Sequence, residues 1–175
     1  MGFQSTVSIQ QGFGVPGEVF QTAPQIALSY TLNSSGTPNV VGATAYTITS
    51  DGLAQAGSGG TLGFGGILCS PKEYALYGTG GQALAPTLTL PDFIQAQLLS
   101  EGIMIVTLPA AAAIGDYVLY NDTTGALATM PPGPTCTTGY SFANAVVSQF
   151  TQGISGSALA VIQVSTVINP VPANA

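Results

Sequence analysis

Residues 116–130 read DYVLYNDTTGALATM. Two runs rich in β-branched and aromatic residues, Asp116–Tyr120 and Ala126–Met130, flank the polar loop Asn121–Gly125, which is the pattern of a β-hairpin. The chain around it is punctuated in the same way. GIMIVTL (102–108) is almost continuously apolar, as expected of a central strand covered on both faces. YSFANAVVSQF (140–150) and GSALAVIQVSTV (156–167) read as two more strands, with a turn expected near Gln152-Gly153. Upstream, NVVGATAYTITSDG (39–52) gives a strand over Ala45–Thr49 and a turn at Asp51-Gly52. A short strand is expected over Ile67–Ser70 between glycine-rich loops. With 23 Gly and 12 Pro spread through 175 residues, candidate helices are cut short. The reading is all-β: a small β-barrel or sandwich body with little helix. The best helix candidate is PDFIQAQLLSEG (91–102), with Pro91-Asp92 as start and Gly102 as stop; TLTLPDFIQAQLL (87–99) reads equally as strand–turn–strand.

Residues 1–40 differ from the 41–175 body. They are rich in Gln, Ser and Thr, carry Pro16, Pro24 and Pro38, and read as an extended N-terminal arm with a short strand near Thr6–Gln10. The tail NPVPANA (169–175) also reads as extended. No repeat of 20–50 residues stands out.

Composition restricts function sharply. Apolar residues make up 46% and charged residues 5%, against roughly 25% charged in an ordinary soluble domain. The net charge is −6, Lys72 is the single Lys or Arg, and there is no His. Nucleic-acid affinity depends on cations that displace counterions from phosphate, so no nucleic-acid partner is expected. Anionic membranes are disfavoured on the same ground. Residues 1–20 lack the basic start and apolar run of a secretory signal. The most apolar stretch, residues 102–115, is interrupted by Pro109 and is shorter than the roughly 20 residues of a spanning helix. The expectation is a soluble protein made in a cytoplasm, with Cys69 and Cys136 as reduced thiols; a disulfide between them stays open. A surface so poor in ions is expected to be covered largely by protein neighbours.

Chemical motifs are weak. In QQGFGVPGEVF (10–20), Gly12, Gly14 and Gly17 have G-x-G-x-x-G spacing. A dinucleotide site needs a helix directly after the glycines and an acid about 20 residues on. Pro16 and Pro24 deny the helix, and after Glu18 the next acid is Asp51. The glycines are read instead as places of positive φ or close backbone approach, with Phe13, Val15 and Phe20 as anchors and Glu18 as a local hydrogen-bond acceptor. Without His there is no imidazole base. Two lone thiols do not make a zinc site. Ser70 and Lys72 are separated by Pro71, which suggests a turn and not a catalytic pair. Asn121, Asp116 and Asp122 around the hairpin read as turn formers before cation ligands. No enzyme activity, cofactor or metal is expected.

In sequence order, FGVPGEVF (13–20), GILCSPKEYALYG (66–78), LAPTLTLPDF (84–93), GIMIVTL (102–108) and GDYVLYNDTTGAL (115–127) resemble the cement, or head-decoration, proteins of tailed bacteriophages. The resemblance spans about two-thirds of the chain. It implies a non-enzymatic protein that binds the outer capsid surface of the virion, clamps neighbouring major capsid subunits, and is assembled in the host bacterial cytoplasm. It implies two partners, the major capsid protein and the chain itself, as a trimer more often than a dimer. The contact residues expected in the arm are Phe3, Phe13, Gly14, Val15, Pro16, Gly17 and Phe20. The alternatives are another viral or pilus-like assembly subunit, such as a tail or fibre component, and a carbohydrate-binding β module.

Overall fold

The computed structural model describes residues 14–20, 24–34, 36–57, 62–70, 89–133, 135–154 and 157–165. In chain order their strands are β1 (Ile26–Leu32), β2 (Asn39–Val40), β3 (Ala45–Ile48), β4 (Leu53–Ala56), β5 (Phe64–Leu68), β6 (Thr89–Leu90), β7 (Gln95–Leu108), β8 (Tyr117–Asn121), β9 (Leu127–Met130), β10 (Tyr140–Ile154) and β11 (Ser157–Val164). The described residues contain no helix, so none is long and apolar enough to cross a membrane. The all-β expectation holds.

The helix considered over residues 91–102 is a turn leading into β7. The reason is the period of the side chains. Gln95 and Gln97 are exposed while Ala96 and Leu98 are buried, which is the two-residue alternation of a strand. The expected hairpin over 116–130 is present, with β8 and β9 paired Tyr117↔Met130 through Tyr120↔Leu127. The turn expected at Gln152-Gly153 lies further on. Both residues are still paired, to Leu159 and Ala158, and the ladder continues to Ile154↔Ser157.

Nine strands form one sheet in the order β1-β4-β3-β5-β7-β11-β10-β8-β9, and an additional β1–β7 pairing closes the first five into a ring. β7 is therefore common to a small barrel and to the sheet that continues from it. It pairs with β1 and β5 over Gln95–Glu101 and with β11 over Gly102–Leu108. The far end of the sheet is tied back to the start of β3 by the Thr44↔Ala126 bridge. There the Ala45 N–H donates to the Gly125 carbonyl and the Leu127 N–H to the Ala43 carbonyl.

Two hydrophobic cores result, and single strands feed both. Leu32, Tyr46, Ile48, Leu68 and Leu98 fill one. Ala45, Ile67, Leu99, Met104, Val106 and Ile162 fill the other. Neighbours such as Ala45 and Tyr46, Ile67 and Leu68, or Leu98 and Leu99 point to opposite faces, as strand geometry requires. This is why β3 is buried at all four positions. β10 departs from regular pairing between Phe142 and Ala145, where Asn144 has φ 50°. Asn tolerates that left-handed conformation better than most residues.

Candidate contact surface

The glycine-bearing segment lies on its own body. The Gly17 N–H donates to the Ile105 carbonyl at 2.8 Å, the Ile105 N–H to the Glu18 carbonyl at 2.9 Å, and the Phe20 N–H to the Ile103 carbonyl at 2.9 Å. Val19 and Met104 form the corresponding antiparallel bridge. Residues 17–20 thus act as a short extra strand on β7. The Ser70 N–H also donates to the Gly17 carbonyl, at 2.8 Å. A Cβ on Gly17 would stand 2.3 Å from Val41 Cγ1 and 2.7 Å from the Ser70 nitrogen, and φ is +83°. Space and dihedral both require glycine here. Gly42 faces it under the same constraint, since its Cβ would stand 2.3 Å from the Gly17 nitrogen. Among the described residues no helix follows these glycines, and residues 17–20 are paired to β7 instead.

The expected contact residues divide accordingly. Phe3 and Phe13 lie outside the described residues. Gly17 is buried against its own body, while Gly14, Pro16 and Phe20 are partly covered. Val15 stands out, with 60% of its surface exposed. The loop presenting it is closed by Glu18. The Glu18 N–H donates to the Val15 carbonyl at 3.0 Å, and the Val15 N–H donates to Glu18 Oε2 at 3.2 Å. Of the residues assigned by the sequence to the forty-residue arm, Ile26–Leu32 form β1 of the body sheet. Ile26 and Leu28 on that strand are about half exposed.

A second exposed feature was not anticipated. Phe93, on the turn before β7, is 73% exposed and has φ 64°. That conformation is unfavourable by roughly 1–2 kcal/mol for a residue with a Cβ. A polar network fixes the turn. The Asp92 carboxylate accepts from the Ser34 N–H at 2.8 Å, the Ser34 hydroxyl at 3.0 Å and the Asn39 amide at 2.9 Å. The Tyr46 hydroxyl donates to Asn39 Oδ1 at 2.6 Å. Burial first, and the Asp92 charge second, push the Tyr46 phenol well above its ordinary value, so it remains a donor. For Asp92 itself, burial raises the pKa. The bonds from Asn39 and Ser34 outweigh that and hold the carboxyl below its ordinary value.

This fixes the sign of a pH effect. A depressed native pKa stabilises the fold in full above the unfolded carboxyl value, about 3.9. The contribution is lost as pH falls through the lower native value. Asp92→Asn is expected to reduce urea stability at pH 7 by about 1–2 kcal/mol, because the bonds from Ser34 and Asn39 lose the charge of their acceptor. The gap between variant and parent should narrow by pH 3. A gap independent of pH would contradict the network.

The other chemical candidates serve local structure. Asn121 Oδ1 accepts from the Thr123 and Thr124 N–H groups, both at 2.9 Å, making an Asx turn. Asp116 accepts from the Ala113 N–H and Asp122 from the Ser141 hydroxyl. Among the described residues, no three of Cys, Asp and Glu gather as metal ligands would. Both cysteines are free. Burial pushes the Cys69 thiol up to about 12 and also raises Cys136, whose Sγ donates to the Tyr140 carbonyl. Neither forms the ready thiolate of a nucleophile. Lys72 lies outside the described residues.

The described surface therefore offers single exposed apolar side chains, Val15 and Phe93 among them, and comparison with known proteins gives them a context. A family model described as structural cement protein (E217 gp24/Pam3 gp6) matches residues 3–165. The chain belongs to this cement family. Among solved structures, a chain from "The capsid of Myoviridae Phage XM1" shares the cement protein's fold with a TM-score of 0.59. It is 17% identical, and the match covers 95% of this chain and 99% of that one. No curated protein matches the sequence. Within a structural cement family, the absorption of the Asp, Asn and Cys side chains into turns and packing is the expected use of such residues. The sequence resemblance pointed to the arm. Phe93 escaped it because its one local signal, the Pro91-Asp92 pair, reads equally as the start of a helix.

Proposed function

We propose that this chain is a cement protein of the virion, which binds the outer capsid surface of a tailed phage and clamps neighbouring major capsid subunits without enzymatic activity. The family match over residues 3–165 carries the reading. The composition supports it. With net charge −6 and a single cation, the partner is a protein surface and neither packaged nucleic acid nor a membrane. The contact is made by the N-terminal segment, through Phe3, Phe13, Val15 and Phe20, with Gly14, Pro16 and Gly17 setting its path. The ladder from Gly17–Phe20 to β7 gives that segment a rigid root, so that tension on the segment reaches the body directly. Many copies on one particle make modest contacts effectively permanent. Assembly takes place in the host cytoplasm, and the chain also contacts copies of itself.

The test uses the full chain and mature capsids lacking it. Wild type is expected to bind to saturation. The triple variant Phe3→Ala/Phe13→Ala/Val15→Ala should lose at least about tenfold in affinity, as expected when interface anchors are truncated, while its melting temperature holds. Failure of the wild type to bind would end the cement reading. Unchanged binding of the triple variant would end the role of the arm.

A further inference from the structure

Among the described residues, β1 is paired on one side only along most of its length. It runs against β7 from Ala27↔Leu99 to Thr31↔Gln95, but meets β4 only at Thr31 and Leu32. The backbone bonds fix which groups face which side. The Leu32 N–H donates to the Ile94 carbonyl and the Asn33 N–H to the Ala54 carbonyl. Even-numbered residues therefore turn to β7 and odd-numbered ones to the side of β4. By the alternation of an antiparallel ladder, Ala27 and Ser29 point their N–H and C=O groups to the side that β4 does not reach.

The side chains agree. Leu28 shares a strand face with Tyr30 and Leu32, which pack in the core of the five-stranded ring. It stands opposite Leu98, which is fully buried, yet Leu28 and Ile26 are each about half exposed. Natural sheets commonly guard a free edge with charge or proline, and Ile26–Tyr30 carries neither.

A strand-forming segment of the same chain sets out from this place. β11 ends at Val164, and Gln163, Val164 and Ser165 line one small hollow with Pro24 and Glu101. Ser165 thus stands near Pro24, two residues before Ile26. The residues that follow, outside the described ones, read Thr166-Val167-Ile168-Asn169-Pro170. Thr, Val and Ile favour strands, and four extended residues span about 13 Å, the length of Ile26–Ser29. Pro170 and Pro172 lack an N–H and would end a ladder. Charge is compatible as well. Glu101 is paired with Ile26, and Asp51 lies two residues before Leu53, the partner of Thr31. An edge flanked by acids suits an uncharged segment.

We propose that Thr166–Asn169 lies along the free edge of β1, parallel to it, bonding Ala27 and Ser29 and covering Ile26 and Leu28. The segment follows the family match, which ends at residue 165, and the contact forms within one chain, independently of capsid binding. It closes an edge that would otherwise be open to strands of neighbouring chains.

Residue-resolved hydrogen exchange of the full chain, at low concentration and without capsids, tests it. The Ala27 and Ser29 amides are expected to be protected. In a chain ending at Ser165 they should exchange at least about tenfold faster, as local pairing is lost. The Leu28 and Tyr30 amides, which face β7, should keep their protection and so report that β1 is still folded. Val167→Asp/Ile168→Asp in the full chain should act like the truncation. Asn174→Asp, beyond both prolines, should change nothing. Two results would overturn the proposal: fast exchange at Ala27 and Ser29 in the full chain, or protection there that survives both the truncation and the double aspartate variant. In the first case, protection gained only at high concentration would assign the edge to a second copy, and protection gained only on capsids would assign it to the capsid protein.

Discussion

Gly17→Ala is expected to destabilise the chain by about 2–5 kcal/mol, combining forced left-handed geometry with overpacking. The φ of +83° is one part. The other is the missing space, since the new methyl would stand 2.3 Å from Val41 Cγ1 and 2.7 Å from the backbone nitrogen of Ser70. Val41 has limited freedom because it is itself buried, and the Ser70 nitrogen is bonded to the Gly17 carbonyl. The segment can relieve the clash only by leaving β7, which uncovers Ile105, fully buried in the native chain. Gly52→Ala is the proper comparison. Its φ is +76° and its Cβ would meet nothing within 4 Å, so it isolates the dihedral penalty. Urea unfolding should place Gly17→Ala clearly below Gly52→Ala. Hydrogen exchange should show lost protection at Glu18–Phe20 and at Ile103–Ile105. Equal destabilisation of the two variants would mean that the close approach at Gly17 is unimportant.

Leu99→Ala is expected to cost about 2–5 kcal/mol, the range for emptying a well-packed leucine site. Leu99 has no exposed surface and lies on β7 opposite both Ile67 of β5 and Ala27 of β1. It stands where the ring of five strands meets the second core, so the surrounding backbone is held on both sides and cannot collapse into the void. Against a typical domain stability of about 5–15 kcal/mol, the loss is large enough to read as a lowered urea midpoint. Fluorescence and far-ultraviolet circular dichroism should still give coincident transitions, because both cores draw on β3, β5 and β7. Separate transitions would show that the two halves unfold independently.

The hairpin over 116–130 was legible because its turn chemistry is local. Asn121 closes the loop onto its own near neighbours, and no distant residue is needed. The central position of residues 102–108 was legible for a similar reason, since burial on both faces leaves an unbroken apolar run. The preceding half of the same strand was ambiguous. Leu98 and Leu99 are adjacent and serve different cores, and two apolar neighbours in a row satisfy helix and strand alike. The glycines at 14 and 17 announced close approach, but a missing Cβ does not say what approaches; the answer here includes Ile105, Val41 and Ser70 of the same chain. Least legible was the Phe93 turn. Its conformation is imposed by Asp92 binding Ser34 and Asn39, 58 and 53 positions away in sequence, and by Leu32. No window of neighbouring residues contains that information.

Because β7 belongs to the ring and to the sheet beyond it, one continuous strand joins the two halves. A pull that separates them runs lengthwise through Gln95–Leu108, where antiparallel partners resist sliding together instead of peeling off one pair at a time. A load drawn along that strand would thus meet a tie rod and not a chain of links.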